Sequence, residues 1–153
     1  MALTYASAIA QIRTHALAAG LAITPAIADV DIGPPLPTST RCVRLFYGGE
    51  GEPARMGAGS TLNSRLIGER IVLIAWIAVS NLSQQEVAAV ETELYDFKHE
   101  LRTRVLADSQ LGGMSTDLEM APCAVDYLTV GNTRYRTVET EFTTDYAEYS
   151  IAP

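Results

Sequence analysis

From Ser83 to about Val105 the chain spells one long amphipathic helix, and no other stretch constrains the fold so tightly. Ser83 and Glu86 make an S-x-x-E capping box, in which each side chain accepts from a backbone N–H of the first turn that has no helical partner. Val87, Val90, Leu94, Phe97, Leu101 and Val105 then recur at steps of three and four. At the standard rise this lays one apolar stripe along about 35 Å of helix. Such a stripe must pack on a sheet. Glu86, Glu91, Glu93 and Asp96 come early and Lys98, Arg102 and Arg104 late, the order the helix dipole favours, so stability alone accounts for the gradient. Asn81-Leu82-Ser83 matches a glycosylation sequon but reads as the entry to this helix.

What surrounds this helix predicts strands. Glu69 to Ser80 is strongly apolar, and Ile71 to Ile77 shows no alternation, which predicts a strand buried on both faces. With helices over one face, the other asks for a cover, and a neighbouring subunit is the expected one. Arg41 to Tyr47 alternates and predicts a first strand ending at Gly48-Gly49. After Gly112-Gly113, Leu118 to Val130 and Arg134 to Tyr149 read as two strands joined by a tight turn at Gly131-Asn132. At the other end, Thr4 to Ala19 carries Ile9, Ile12 and Ala16 at helical spacing and meets Gly20 where a terminating glycine belongs. A Pro-rich connector, with Gly33-Pro34-Pro35-Leu36-Pro37, follows; a short extended piece near Ile27 to Ile32 has room to pair at a sheet edge. Gly48 to Asn63 holds six glycines and serines, two acids, one arginine and a proline, and predicts a long mobile loop of the kind that usually has a function.

The expected architecture is therefore one α+β domain over residues 1–153. Two main helices pack on one face of a mainly antiparallel sheet of four or more strands, with a long loop between the first two main strands. A chain of 153 residues, 48% hydrophobic and 19% charged, is large enough to fold this way without disulfides or metal. The N-terminal stretch contains Gln11, Arg13 and His15 where a signal peptide needs an apolar run. The longest apolar run, Ile71 to Val79, has nine residues, against about 20 for a membrane helix. No membrane partner is expected.

Charge is unevenly spread. The net charge is −7, and residues 117 to 149 hold seven acids against two arginines, while the first 80 residues are close to neutral. Sequence-independent phosphate binding needs clustered Lys and Arg, which this chain lacks. The pattern suggests two differently dressed faces.

Nothing in the sequence spells out catalysis. His15 and His99 sit on separate helices without a metal or general-base motif. Cys42 and Cys123 are far apart with no CxxC, so both read as apolar side chains in a reducing compartment. Glu139, Glu141 and Asp145 alternate on one strand, which is the pattern of a solvated face more than of a cation site. Gly48-Gly49-Glu50-Gly51-Glu52 shares only its glycines with a phosphate loop. No catalytic residue, metal ligand or cofactor site is assigned.

The order helix, Pro-rich connector, strand, long polar loop, apolar strand, long helix, hairpin resembles the tail-terminator and tail-completion proteins of long-tailed bacteriophages. The resemblance runs from Thr4 to Tyr149. It rests on element order and on the closing hairpin, Tyr127-Leu128-Thr129-Val130-Gly131-Asn132-Thr133-Arg134-Tyr135-Arg136 leading into Val138-Glu139-Thr140-Glu141-Phe142. It implies a structural viral protein of the virion neck, not an enzyme, assembled in the host cytoplasm as a homo-oligomer, with a hexameric ring as the expected form. That ring would cap the tail tube, stop its polymerisation and join it to a head-completion or connector protein above, with DNA passing through unbound. On this reading Glu50, Glu52, Arg55, Arg65 and Trp76 are candidates for contact with a neighbouring subunit, the tube or the neck. Glu139, Glu141 and Asp145 are candidates for an acidic channel lining. Another role in head-tail joining or head completion fits the same pattern. So, from a different class, does a small oligomeric ligand-binding protein or enzyme with a pocket between the long helix and the sheet.

Overall fold

The computed structural model describes residues 5–51, 64–108 and 118–150. Two helices, α1 (Tyr5–Ala22) and α2 (Gln84–Ala107), accompany six strands: β1 (Val30–Ile32), β2 (Arg41–Gly51), β3 (Ser64–Ala78), β4 (Leu118–Met120), β5 (Ala124–Val130) and β6 (Thr133–Ser150). The sheet order is β1-β2-β3-β6-β4, with β5 also on β6. Every pairing is antiparallel except that of β1 with β2. This is the expected α+β class, helices packed on a mostly antiparallel sheet.

The long helix forms as its cap and stripe dictate. Ser83 Oγ accepts from the Glu86 N–H at 3.2 Å, and Glu86 Oε1 accepts from the Ser83 N–H at 3.3 Å. Val90, Leu94, Phe97, Leu101 and Val105 are all buried. They join one apolar core with Ile9, Ile12 and Ala16 of α1, Val43 and Leu45 of β2, Ile71, Leu73 and Ile77 of β3, and Val138 and Phe142 of β6.

Four local expectations shift. α1 runs past Gly20 to Ala22, so this glycine does not end the helix. Instead the returning chain passes against it: Ile27 N–H donates to the Gly20 carbonyl at 2.9 Å, and a Cβ at Gly20 would lie 2.2 Å from the Ile27 carbonyl oxygen. Gly48-Gly49 does not end β2 either. The register shifts between Tyr47 and Gly49, where Gly49 has φ +92°, and the strand continues to Gly51. A bulge absorbs what read as a break. β3 begins earlier than expected, at Ser64; of the expected Gly48–Asn63 loop, Gly48 to Gly51 is strand, and residues 52–63 lie outside the described residues. Finally, Leu118 to Val130 is two strands. Ala121-Pro122-Cys123 interrupts them, because proline brings no N–H to a ladder, yet both halves pair with β6.

β3 and β6 outrun their neighbours. β2 ends opposite Gly68 and β4 begins opposite Thr144. From there the β3–β6 ribbon continues from Ile67↔Ala147 to Ser64↔Ser150, with no third strand among the described residues.

The second face of the sheet is covered within the single chain, which corrects the expectation that a neighbour must bury it. Val72, Ile74 and Trp76 are only 6%, 7% and 3% exposed, and they cluster with Cys42 and Tyr135, flanked by Phe46, Ala78 and Val130.

Candidate functional site

Beside α2 the structure holds a cleft of about 390 Å³, floored by β5 and β6. The helix turns its apolar stripe to the core and its flank to this cleft, so Leu94 reaches it from the edge of the stripe and Glu91, Tyr95, Lys98 and Arg102 from the adjoining flank. Val125, Arg136 and Val138 come from the strands and Pro122 and Cys123 from the link between β4 and β5. Register explains the strand contribution. Val125 is opposite Val138 and Tyr127 opposite Arg136, so these four side chains share the helix-facing side.

The cations in this cleft differ in how they are balanced. Arg136 is neutralised: its Nε lies 2.8 Å from Glu91 Oε1, its Nη2 donates to Glu91 Oε2 at 3.1 Å, and its guanidinium sits 4.5 Å from the Tyr127 ring centroid. Arg102 donates to the Ala121 carbonyl at 3.2 Å and to Cys123 Sγ at 3.5 Å. Lys98 Nζ lies 4.2 Å over the Tyr95 ring. Among the described residues neither Lys98 nor Arg102 has a carboxylate within ion-pair distance. The cleft therefore carries uncompensated positive charge in a chain of net charge −7. Its walls are apolar on the Leu94, Val125 and Val138 side, so it suits an anionic group attached to apolar surface.

A second hollow of about 420 Å³ lies at the N-terminal end of α2, against Ile77, Ala78 and Leu82. Its one cation, Arg41, is bound at 2.7 Å to Glu93, so it presents no unbalanced charge.

The outer face has its own polar cluster. Arg44 is buried at 6% exposure and donates to both carboxylate oxygens of Asp29, at 3.0 and 3.1 Å, to the Val43 carbonyl and to Thr38. Ser39 adds a 2.7 Å hydrogen bond to Asp29. That hydroxyl, with Arg44 beside it and burial opposing, holds the Asp29 carboxyl below its ordinary range.

The candidate contact residues fall in different settings. Glu50 is exposed and stands directly opposite Glu69 across the β2–β3 ladder, two like charges at the base of the β3–β6 ribbon. Tyr47, 49% exposed, donates to Glu69 at 2.6 Å. Among the described residues neither glutamate has a cation within ion-pair distance. Arg65 lies in the ribbon opposite Tyr149; its side chain lies outside the described residues, as do Glu52 and Arg55 altogether. Trp76 is not at the surface. Its indole sits edge-on to Tyr135, centroids 5.6 Å apart at 86°, inside the outer cluster. Of the acidic face, Glu139 is exposed and Glu141 is ion-paired with Arg70; the Asp145 side chain lies outside the described residues.

His15 has a structural partner: its Nε2 lies 2.7 Å from Asp108 Oδ2, and Gln11 donates to the same oxygen at 3.1 Å, tying α1 to the end of α2. Among the described residues no three His, Cys, Asp or Glu side chains gather as metal ligands, and no helix is long and apolar enough to cross a membrane.

The sequence offers a pocket between α2 and the sheet as an alternative reading, but not the charged residues that line it. Lys98 and Arg102 had a sufficient explanation in the helix dipole, and Arg136 was counted against a surplus of acids. The signal that was present is that Lys98 is the only lysine in the chain and sits one turn before Arg102 on the same helix flank.

These features place the chain among α+β proteins whose helices cover one face of a mostly antiparallel sheet, with a charged cleft at its side. No protein-family model matches the chain, and no curated protein does. One solved structure, whose name describes no function, is similar over 95% of this chain and 98% of its own, at 12% identity and a TM-score of 0.49.

Proposed function

We propose that the protein is a structural subunit of a bacteriophage neck: a tail terminator that assembles into a ring, hexameric in the simplest case, on the end of the tail tube. There it halts tube growth and offers a seat to the protein above. The resemblance in element order and closing hairpin supports this reading. The observation that carries it is the separation of unbalanced charge, with Lys98 and Arg102 in a cleft on one side and Glu50 opposite Glu69 at the base of the ribbon. A closed ring needs two different, complementary patches on every subunit. In this reading Glu139, with Glu141 and Asp145 further along β6, lines the channel, where negative charge keeps DNA phosphates from sticking.

The test is the mass of the purified protein in solution by light scattering, across concentration and with or without purified tail tubes. The expected result is a species of six times the 16.5 kDa chain, either free or formed on tube ends. A monomer or dimer indifferent to tubes would overturn the reading. That outcome would favour the one alternative the cleft itself supports, a binding protein for a small anionic ligand with an apolar body.

A further inference from the structure

Among the described residues neither Lys98 and Arg102 of the α2 cleft nor the Glu50–Glu69 pair meets an opposite charge. Like charges directly opposite on neighbouring strands destabilise a sheet, and no described residue offsets this pair. The cleft has the reverse imbalance. The two are not paired in cis: Glu69 lies beside Thr144 of β6, whereas Arg102 donates to the Ala121 carbonyl, which also takes the Thr140 hydroxyl. At the usual rise of about 3.3 Å per residue Thr140 and Thr144 are roughly 13 Å apart along the strand, beyond ion-pair reach and beyond the ~8 Å over which salt screens charge.

We propose that the cleft receives the β2–β3 edge of a second copy of this chain, with Lys98 and Arg102 of one subunit meeting Glu50 and Glu69 of the next. The contact rests on the ring reading above and names its interface. It joins two different patches, so it is head-to-tail, the kind of contact that closes into a ring. Tyr47, exposed beside Glu69, and Tyr95, exposed beneath Lys98, bring aromatic surface to the centre of the contact. Direct strand addition does not compete with it. On the β1 edge the Asp31 carboxylate takes the Ile32 N–H at 2.9 Å and the Ala28 carbonyl takes the Val30 N–H at 3.1 Å; on β5 the Asp126 carboxylate takes the Tyr127 N–H at 2.7 Å. β1 and β5 are thereby blunted against pairing with another chain.

The experiment is sedimentation velocity on the full chain, its K98E/R102E variant, its E50K/E69K variant and an equimolar mixture of the two variants, each checked by circular dichroism. Reversing either patch alone is expected to weaken self-association at least about tenfold, because like charges then meet. In the mixture each variant fits the other, and the wild-type mass should return as an alternating assembly with an even number of subunits. A variant that failed to fold would be replaced by K98Q/R102Q or E50Q/E69Q, for which weaker association is also expected. Wild-type association by either altered chain would overturn the interface and leave the ring reading standing. Failure of the mixture to reassemble would overturn the pairing of these two patches. A wild-type chain that stays monomeric with and without tubes would overturn both. Lys98, as the only lysine, gives an independent readout: amine acylation at this residue should be suppressed in the assembled wild type and restored in E50Q/E69Q, which adds no second lysine.

Discussion

The two faces of the sheet are built from the same strands and held by different physics. On the helix side, Ile71, Leu73, Ala75 and Ile77 of β3 meet α1 and α2 in a continuous apolar core with no charged member. On the outer side, Val72, Ile74 and Trp76 are nearly as buried, but they lie beside Cys42, Tyr135 and the buried Arg44 with its carboxylate partner. The inner face depends on shape and volume. The outer face depends in part on satisfied charge, so it should respond to pH and to single polar substitutions that leave the inner face untouched.

The sharpest way to break this comparison is to open the inner face. Phe97 is fully buried in the α2 stripe, and Phe97→Ala should destabilise the fold by about 3–5 kcal/mol through lost burial and the cavity left behind. Urea denaturation would show the midpoint fall with little change in slope. A loss below about 1 kcal/mol would mean that α2 does not pack as described.

On the outer face the corresponding test is Asp29→Ala, which strands the buried Arg44. The expected loss is about 1–2 kcal/mol, the lower part of the range for an unpaired buried donor, since Asp29 stays partly open to water. Asp29→Asn adds a pH dependence whose sign is fixed. The folded-state carboxyl lies below the ordinary aspartate value of 3.8, held there first by Ser39 and then by Arg44. Its contribution is therefore complete above the unfolded value and disappears as pH falls through the lower folded value. The stability gap between wild type and Asp29→Asn should be constant near neutrality and narrow below pH 3.8. A gap that widened in acid would reverse the assignment.

A smaller effect is expected at the cap that starts α2. Ser83→Ala removes the acceptor for the Glu86 N–H and should lower stability by about 1 kcal/mol, measured by thermal unfolding. Ser83→Thr should restore most of it.

How far the sequence could be read follows from which residues act locally. The capping box, the α2 stripe and the Gly131-Asn132 turn are short-range signals, and each formed where expected. Burial of Ile71 to Ile77 on both faces was legible too, but what accompanies the outer side was not, because Cys42 and Tyr135 reach β3 only through strand pairing. Gly20 and Gly48 misled for a related reason. Glycine commonly ends elements, yet here Gly20 admits the Ile27 backbone, and at Gly48 a Cβ would come within 2.8 Å of Val72. Both are demands of tertiary contact. A pocket between α2 and the sheet was legible as an alternative, but its charged lining was not, because each of its charges had an adequate local explanation and only β6 brings Arg136 across from α2.

The smallest expected effect sharpens the comparison from the other side. Glu139 is exposed on the outer face, and its register partners, Ala124 on β5 and Ile74 on β3, offer it no charge. Glu139→Lys should therefore change stability by no more than about 0.5 kcal/mol, whereas any shift above about 1 kcal/mol would place this residue in the charged network that holds the face. Its stability and its role in the proposed ring are separable. If Glu139 lines a channel, the variant should still reach the wild-type mass yet retain double-stranded DNA at low salt, with retention falling steeply as salt rises. If the variant assembles and ignores DNA, Glu139 lies on the exterior, and the acidic outer face is a solvated surface like any other.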